Sequence, residues 1–393
     1  MMKEPAKILH FPDEPFNGIK LQFARERAGF ARSKLADLVA TSPSFITACE
    51  KLRKRPSTDL QLLLAEALDV HPCFFQGTIL GDWKLASCHF RHRQCATATE
   101  KFSLRSHLYV YSLLLNVLAS IVRFPVARFP EVASNDPRSA EAIASIVRGH
   151  WRITETNPIG HICRLIENAG IVVLLHSSDS NRVDACSHFG QHPLILLAKN
   201  KRNASRLTFD LAHEVGELVY RRYGATDVQH EREINHFAGA LLMPLEGFGV
   251  HFSIKPLSLS HLLELKKTWG VSFSAILQRA LGLRIISEHT FVLWKRKIAA
   301  RGWSKNEPGE QGFNGPEILK SAMDIVKRKA ISLHDLAAHV GLTTKALNAM
   351  LKENGIGMPI VERDAAISAN RVSPILKMSG DEDAEFASPN WFS

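Results

Sequence analysis

No stretch of the 393-residue chain approaches the roughly 18 consecutive apolar residues of a membrane span, which argues against a membrane-spanning helix. The opening MMKEPAKILHFPDEPF has no apolar core of the kind a signal peptide carries, so the expected location is the cytoplasm. The six cysteines, Cys49, Cys73, Cys88, Cys95, Cys163 and Cys186, show no repeated spacing, which excludes a disulfide framework and points to reduced thiols. Stability then has to come from packing, and 45% hydrophobic residues over this length suffice for two or three cores. Acidic residues are in short supply: 39 Asp+Glu against 49 Lys+Arg leave a formal charge of +10, which favours a polyanionic partner.

The excess charge is uneven. Residues 77–130 hold seven Lys/Arg against two acids, Asp82 and Glu100, and a shorter cluster, KLRKR at Lys51–Arg55, precedes Pro56. That cluster closes a series of short helices. IKLQFARERAGF places Leu21, Ala24 and Ala28 near one helical face with Gly29 as a stop, and ARSKLADLVA gives a second helix with Leu35, Ala36, Leu38 and Val39 as its apolar set. TSPSFITACEKL opens a third, with Ser42 as N-cap and Pro43 at the first helical position, where its missing N–H is harmless. STDLQLLLAEALDVHPCFF supplies a fourth. Small Ala36 and Ala40, followed by apolar Ile46, suit the close crossing of a helix-turn-helix.

From about Ile19 to Phe75 the sequence resembles the XRE-type, phage-repressor-like helix-turn-helix family. The resemblance implies that the helix from Pro43 enters the major groove of double-stranded DNA. Ser44, Phe45, Thr47 and Ala48 would then face the bases, while Arg32, Lys51, Arg53, Lys54 and Arg55 would serve phosphates. Such units bind two half-sites, which implies a homodimer and a nucleoid-associated protein. Leu52 stands where the family commonly has a turn glycine.

Residues 77–130 read as a basic linker followed by a packing helix. In CHFRHRQC the residues Cys88, His89, His92 and Cys95 are metal-ligand types, but adjacent Cys88 and His89 point in different directions and two separated ligand pairs are lacking, so the expectation is a basic hinge. In SHLYVYSLLLNVLASIV, Leu108, Tyr111, Leu115 and Leu118 recur at helical spacing, as a packing or dimerisation face would. RFPVARFPEVASNDPRS is a Pro-rich connector.

ICRLIENAGIVVLLHS then reads as a helix, a glycine turn and a strand, and RVDACSHFGQHPLILLAKN as two short strands around a turn. ASRLTFDLAHEVGELVYRR is a helix on which His213 and Glu217, four residues apart, project from one face, as two metal ligands must; Glu214 is offset by one position. EREINHFAGALLMP forms another helix, ended before Pro244.

These segments, with LKKTWGVSFSAILQRALGLRIIS and RGWSKNEP, resemble the ImmA/IrrE family of zincin-like metallopeptidase domains over about Ile162 to Pro308. The resemblance implies His213 as first metal ligand, Glu214 as general base, and Glu233 as third ligand with Glu231 the alternative. At the second ligand position the family has His; this chain has Glu217. Zinc accepts carboxylate oxygen, so a three-ligand site survives on paper, but a second anionic ligand weakens the ion as an activator of water, and harder oxygen donors shift preference toward other divalent ions. A competent zinc site, an altered metal site and a metal-free relic all remain open.

Downstream, GPEILKSAMDIVKRKA and SLHDLAAHVGLTTKALNAMLKENG are helical, Ser332 and Asp335 make a capping-box-like start, and SGDEDAEFASPNWFS looks like an acidic disordered tail. The expected architecture is multidomain and mainly α with an α+β middle domain: tail 1–16, helix-turn-helix domain 17–76 of five-helix type, linker and packing helix 77–130, zincin-like domain with a small sheet 131–290, C-terminal helical region 291–375, tail 376–393. Two functions follow. One is a DNA-binding transcriptional regulator, with prophage or stress-response connections, whose zincin-like domain is catalytically impaired and serves sensing or binding of a protein partner. The alternative is a metal-dependent regulatory endopeptidase that cleaves a repressor, a toxin or another specific protein.

Overall fold

The structure is a computed structural model that describes residues 15–79, 81–84, 87–92, 96–130, 132, 138–177, 183–198, 203–220, 228–254, 256–304, 306–358 and 385–386. Most of the expected tails, 1–14 and 376–393 apart from 385–386, lie outside the described residues, as does Cys95. The chain divides into two compact units that interleave in sequence.

The first unit gathers the described residues within 1–82, 97–123 and 320–386. Its N-terminal part is α1 (Gly18–Arg27), α2 (Arg32–Leu38), α3 (Pro43–Glu50), α4 (Thr58–Ala67) and a 3-10 turn at Pro72–Phe75, four α-helices and a turn where five helices were expected. Local chemistry starts these helices: the side chains of Asn17, Ser42 and Ser57 accept from backbone N–H groups in the first turns of α1, α3 and α4, and Pro43 opens α3. The turn between α2 and α3 has Ala40 at φ 49°, and the turn after α3 has Leu52 at φ 58°, left-handed conformations that strain a side chain.

The helix α5 (Ala98–Ala119) begins with a complete capping box: Thr97 Oγ1 accepts from the Glu100 N–H at 3.2 Å, and the Glu100 carboxylate accepts from the Thr97 N–H at 2.7 Å. Its stripe of Leu108, Tyr111, Leu115 and Leu118 is buried within this unit, so the expected dimerisation face is spent inside the chain. Phe23 of α1 stacks on Tyr109 at 4.5 Å, and Glu26 of α1 accepts from Arg105 and from the Ser106 hydroxyl. The helices α14 (Ile318–Arg328), α15 (Leu333–Val340) and α16 (Thr344–Glu353) complete the unit, save the first two residues of α14. Gly341 ends α15 at φ 80°, and a Cβ there would lie 3.1 Å from Phe74 Cα, so glycine is required on two counts. Val70 and Leu342 form a bridge, and Thr343 donates to Asp69 at 2.5 Å. The C-terminal helices therefore pack with the N-terminal ones and do not form the separate region expected at 291–375. A short parallel ladder joins β2 (Val122–Arg123) to β6 (Glu385–Phe386).

The second unit holds the described residues within 83–96 and 124–319. It has a four-stranded sheet of β1 (Cys88–His92), β3 (Val172–His176), β4 (Val183–His188) and β5 (Leu194–Ala198), in the order β1-β4-β5-β3. The β3–β5 pair is parallel and the other two are antiparallel. The strand β1 is one edge, with His89 opposite Ser187 and Phe90 opposite Cys186. Residues 88–92, expected as a basic hinge, are thus a sheet strand.

Around the sheet lie α6 (Ala140–His150), α7 (Ile162–Asn168), α8 (Ala204–Tyr220), α9 (Val228–Leu242), α10 (Leu245–Ile254), α11 (Leu259–Trp269), α12 (Phe273–Gly282) and α13 (Glu288–Ala300). The helix α8 is the centre of this core: every residue from Asp210 to Tyr220 is buried. Gly216 lets α9 approach it, since a Cβ there would lie 2.8 Å from Phe237 Cδ1 and 3.1 Å from Ile234 Cγ2. Arg148, fully buried, donates through its two terminal nitrogens to the carbonyls of Leu241, Thr154 and Asn157, which ties down the end of α9, and its Nε stands 3.7 Å from the Glu155 carboxylate. Among the described residues no single helix is long and apolar enough to cross a membrane.

Candidate metal centre

The helix α8 places His213, Glu214 and Glu217 in the core of the second unit, at 1%, 0% and 5% exposure. His213 Nε2 stands 3.6 Å from Glu217 Oε1 and 3.9 Å from Glu231 Oε2 of α9. Ligands at about 2.0–2.2 Å in a tetrahedron lie roughly 3.3–3.6 Å from one another, so the first separation matches groups around one ion and the second exceeds that range by about 0.3 Å. Of the two expected third ligands, the structure brings Glu231 to His213 and Glu217; Glu233 is not in the group. Helical phase is the reason. Asn235, which touches His213, lies four residues beyond Glu231 and so on the same face of α9, whereas Glu233 is turned about 200° from Glu231.

The tautomer of His213 follows from its neighbours. Asn235 donates its amide N–H to the Glu231 carbonyl at 2.7 Å, which turns Asn235 Oδ1 toward His213 Nδ1 at 3.2 Å. His213 Nδ1 must then carry the proton and donate. Its Nε2, buried and without a hydrogen bond, faces two carboxylate oxygens. A bare lone pair against two anions is unfavourable, so the arrangement calls for positive charge at that point, either a proton or a metal ion. An imidazole held by its other nitrogen is the usual arrangement of a metal-ligating histidine. The residues present therefore fit a divalent ion.

The other half of this centre takes His89 alone from CHFRHRQC, set aside above as a basic hinge, and joins it to His230, which no motif marked. Glu217 Oε2 accepts from His230 Nε2 of α9 and from His89 Nδ1 of β1, each at 2.9 Å. His89 and His230 are themselves buried, at 6% and 3%. Burial alone would raise the Glu217 carboxyl, but the imidazoles of His213, His230 and His89 outweigh it together and hold the group below the usual carboxylate range. A period-two reading of CHFRH would have suggested a strand; its pairing with β4, almost a hundred residues on, is what delivers His89.

One side of the centre opens outward. The Glu231 side chain is 41% exposed, and Asn235 also lines a cavity of about 610 Å3 together with Arg206, Asp210, Arg232, His236 and Arg279.

The residues expected to meet DNA lie in the first unit. Ser44 is exposed on α3, while Phe45, Thr47 and Ala48 are half-buried; Lys51, Arg53, Lys54 and Arg55 are exposed in the turn that follows. The Thr47 hydroxyl donates to the Pro43 carbonyl at 2.8 Å, and Lys54 Nζ lies 5.5 Å from the Phe45 ring centre. Arg32 pairs with Glu50 at 2.7 Å, so part of its guanidinium is committed inside the fold.

Residues 166–281 match the family model of the IrrE N-terminal-like domain, peptidase family M78. The match covers less than a third of the chain and contains α8 and α9 but not β1. The second unit therefore carries a domain of this zincin-like family, whose members usually bind zinc. A comparison of the chain with curated proteins finds no match.

Proposed function

We propose that the chain is a DNA-binding regulator of the XRE type whose IrrE-like domain holds a divalent ion and serves sensing or protein-partner binding, with peptide hydrolysis impaired. The burial of Glu214 carries the second half of this reading. A general base acting on water beside a scissile peptide must reach both, and Glu214 is 0% exposed. The ligand set works in the same direction. Two carboxylates, Glu217 and Glu231, with one imidazole, His213, concentrate negative charge on the ion and suit zinc less well than a harder divalent cation. Bound there, the ion supplies the positive charge that the geometry of His213 demands and fixes α8 against α9.

The DNA half is supported by the exposed basic turn Lys51–Arg55 directly after α3, by exposed Ser44 at the start of that helix, and by the formal charge of +10. The partner is double-stranded DNA, bound by a homodimer on two half-sites. Fluorescence anisotropy against random and selected duplexes in a salt series tests it. Replacing Arg53, Lys54 and Arg55 together by Ala is expected to weaken binding to all sequences alike and to reduce the salt slope by about 1 for each phosphate contact removed. A protein that binds no duplex, or a variant with an unchanged slope, refutes the assignment.

A metallo-endopeptidase acting on a repressor, a toxin or another protein is the second reading, and the large cavity reaching Asn235 favours it. Cleavage of a peptide library by the metal-loaded protein, abolished in Glu214→Gln, would establish it.

A further inference from the structure

The two oxygens of Glu217 face different partners. Oε1 is turned to His213 and, beyond it, Glu231; Oε2 is turned to His89 and His230. In each direction the donor atoms lie within 4.8 Å of one another, and the two groups share only Glu217. We infer that His89 Nδ1, His230 Nε2 and Glu217 Oε2 form a second metal site of zinc type, and that Glu217 bridges it to the ion held by His213 and Glu231.

Three observations carry the inference. The first is donor chemistry. Two imidazoles and a carboxylate form a three-ligand set that zinc takes readily, whereas His213, Glu217 and Glu231 offer one imidazole and two carboxylates. The domain thus has two unlike sites, one softer than the other. The second is burial. All three groups of the second site are at least nine-tenths buried and come from three separate elements, β1, α8 and α9, so the cluster is built by the fold and is not a chance meeting of surface side chains. The third is bridging geometry. A carboxylate with one oxygen on each ion suits a pair about 3.5–4 Å apart, and the division of Glu217 between its partners is the division such a bridge requires.

The 2.9 Å spacings in the second site are hydrogen-bond distances, and ligand atoms on a tetrahedral ion stand about 3.3–3.4 Å apart. Entry of zinc therefore replaces two N–H···O contacts with two N–metal bonds and one O–metal bond, leaves each neutral imidazole with its proton on the other ring nitrogen (His89 Nε2 and His230 Nδ1), and opens the cluster by roughly 0.4–0.5 Å. The rotation of a few side chains supplies that movement. His89 also lies on an edge strand, where backbone adjustment disturbs pairing with only one strand, β4.

The bridge rests on the reading of His213, Glu217 and Glu231 as a metal site, while the second site stands without it. Metal counting on the full chain separates the two. The protein is stripped with a chelator, loaded with zinc or cobalt(II), freed of excess by gel filtration, and its metal measured by mass spectrometry, with the cobalt absorption spectrum as a second readout. Two ions per chain are expected for the parent. His89→Gln with His230→Asn, whose amides can still donate to Glu217, is expected to hold one, and His213→Asn is expected to hold the other with a different cobalt spectrum. Circular dichroism and thermal melts of each variant establish that it is folded. One ion in the parent, retained by the His89/His230 variant and lost from His213→Asn, overturns the second site and leaves the first. One ion lost from the His89/His230 variant and retained by His213→Asn establishes the second site and overturns the first with its bridge. No ion in the parent overturns both.

Discussion

Each unit buries a carboxylate on a helix and surrounds it with basic side chains, but the bases differ. Glu50 of α3, 4% exposed, is held by Arg25 and by Arg32, the latter at 2.7 Å. Glu217 of α8, 5% exposed, is held by His89 and His230 at 2.9 Å, with His213 at 3.6 Å. A guanidinium keeps its protons at any ordinary pH and has no lone pair to offer a metal, so the Glu50 cluster has one state. An imidazole can give up its proton and become a ligand, so the Glu217 cluster has two. Similar burial and similar donor distances therefore yield a permanent clamp in one unit and an exchangeable site in the other.

The largest effect should come from breaking the clamp. Glu50→Ala leaves buried Arg25 with only the more distant Glu26 carboxylate, at 3.8 Å, and is expected to lower the stability of the first unit by about 3 kcal/mol. Urea unfolding should show the same loss with and without a chelator; a loss that depends on chelator would abolish the contrast. Next is Glu217→Gln. If the parent binds zinc, a hundredfold excess over the dissociation constant should stabilise the second unit by about 2.7 kcal/mol, and the variant should show none of that gain in a melt with added zinc. A parent whose melt ignores zinc and cobalt alike would make the Glu217 cluster as fixed as that of Glu50. The smallest effect is a gain. Leu52→Gly, two residues after Glu50, relieves a left-handed backbone and is expected to stabilise the first unit by about 0.5–1 kcal/mol after the entropy cost of glycine, again without regard to metal. A loss on denaturant titration would mean that the exposed Leu52 side chain makes contacts worth more than the strain.

Local pattern made much of this legible. The caps at Ser42 and Ser332, the Gly170 turn between α7 and β3, and the placement of His213 and Glu217 on one face all follow from spacing within one or two helical turns. The choice between Glu231 and Glu233 depends on the rotation of α9 against α8, which Gly216 and Asn235 set and no periodicity reports. His89 was hidden for a stronger reason: its role depends on β1 finding β4, and a five-residue strand in a basic stretch carries little signal of its partner. The packing of α14–α16 with α1–α5 is equally nonlocal. Their apolar stripes are readable, but their destination is not.

The interleaving of the two units sets an order of events during synthesis. The N-terminal helices leave the ribosome first, yet α15 and α16, whose connection at Leu342 and Thr343 meets Val70 and Asp69, follow only after roughly 260 further residues, tens of seconds at ordinary elongation rates. The second unit can close in that interval, since all its described residues precede residue 320. The helices from residue 18 onward are thus made early and completed late, and a nascent chain has its His89, His213, Glu217 and His230 together before its first unit is whole.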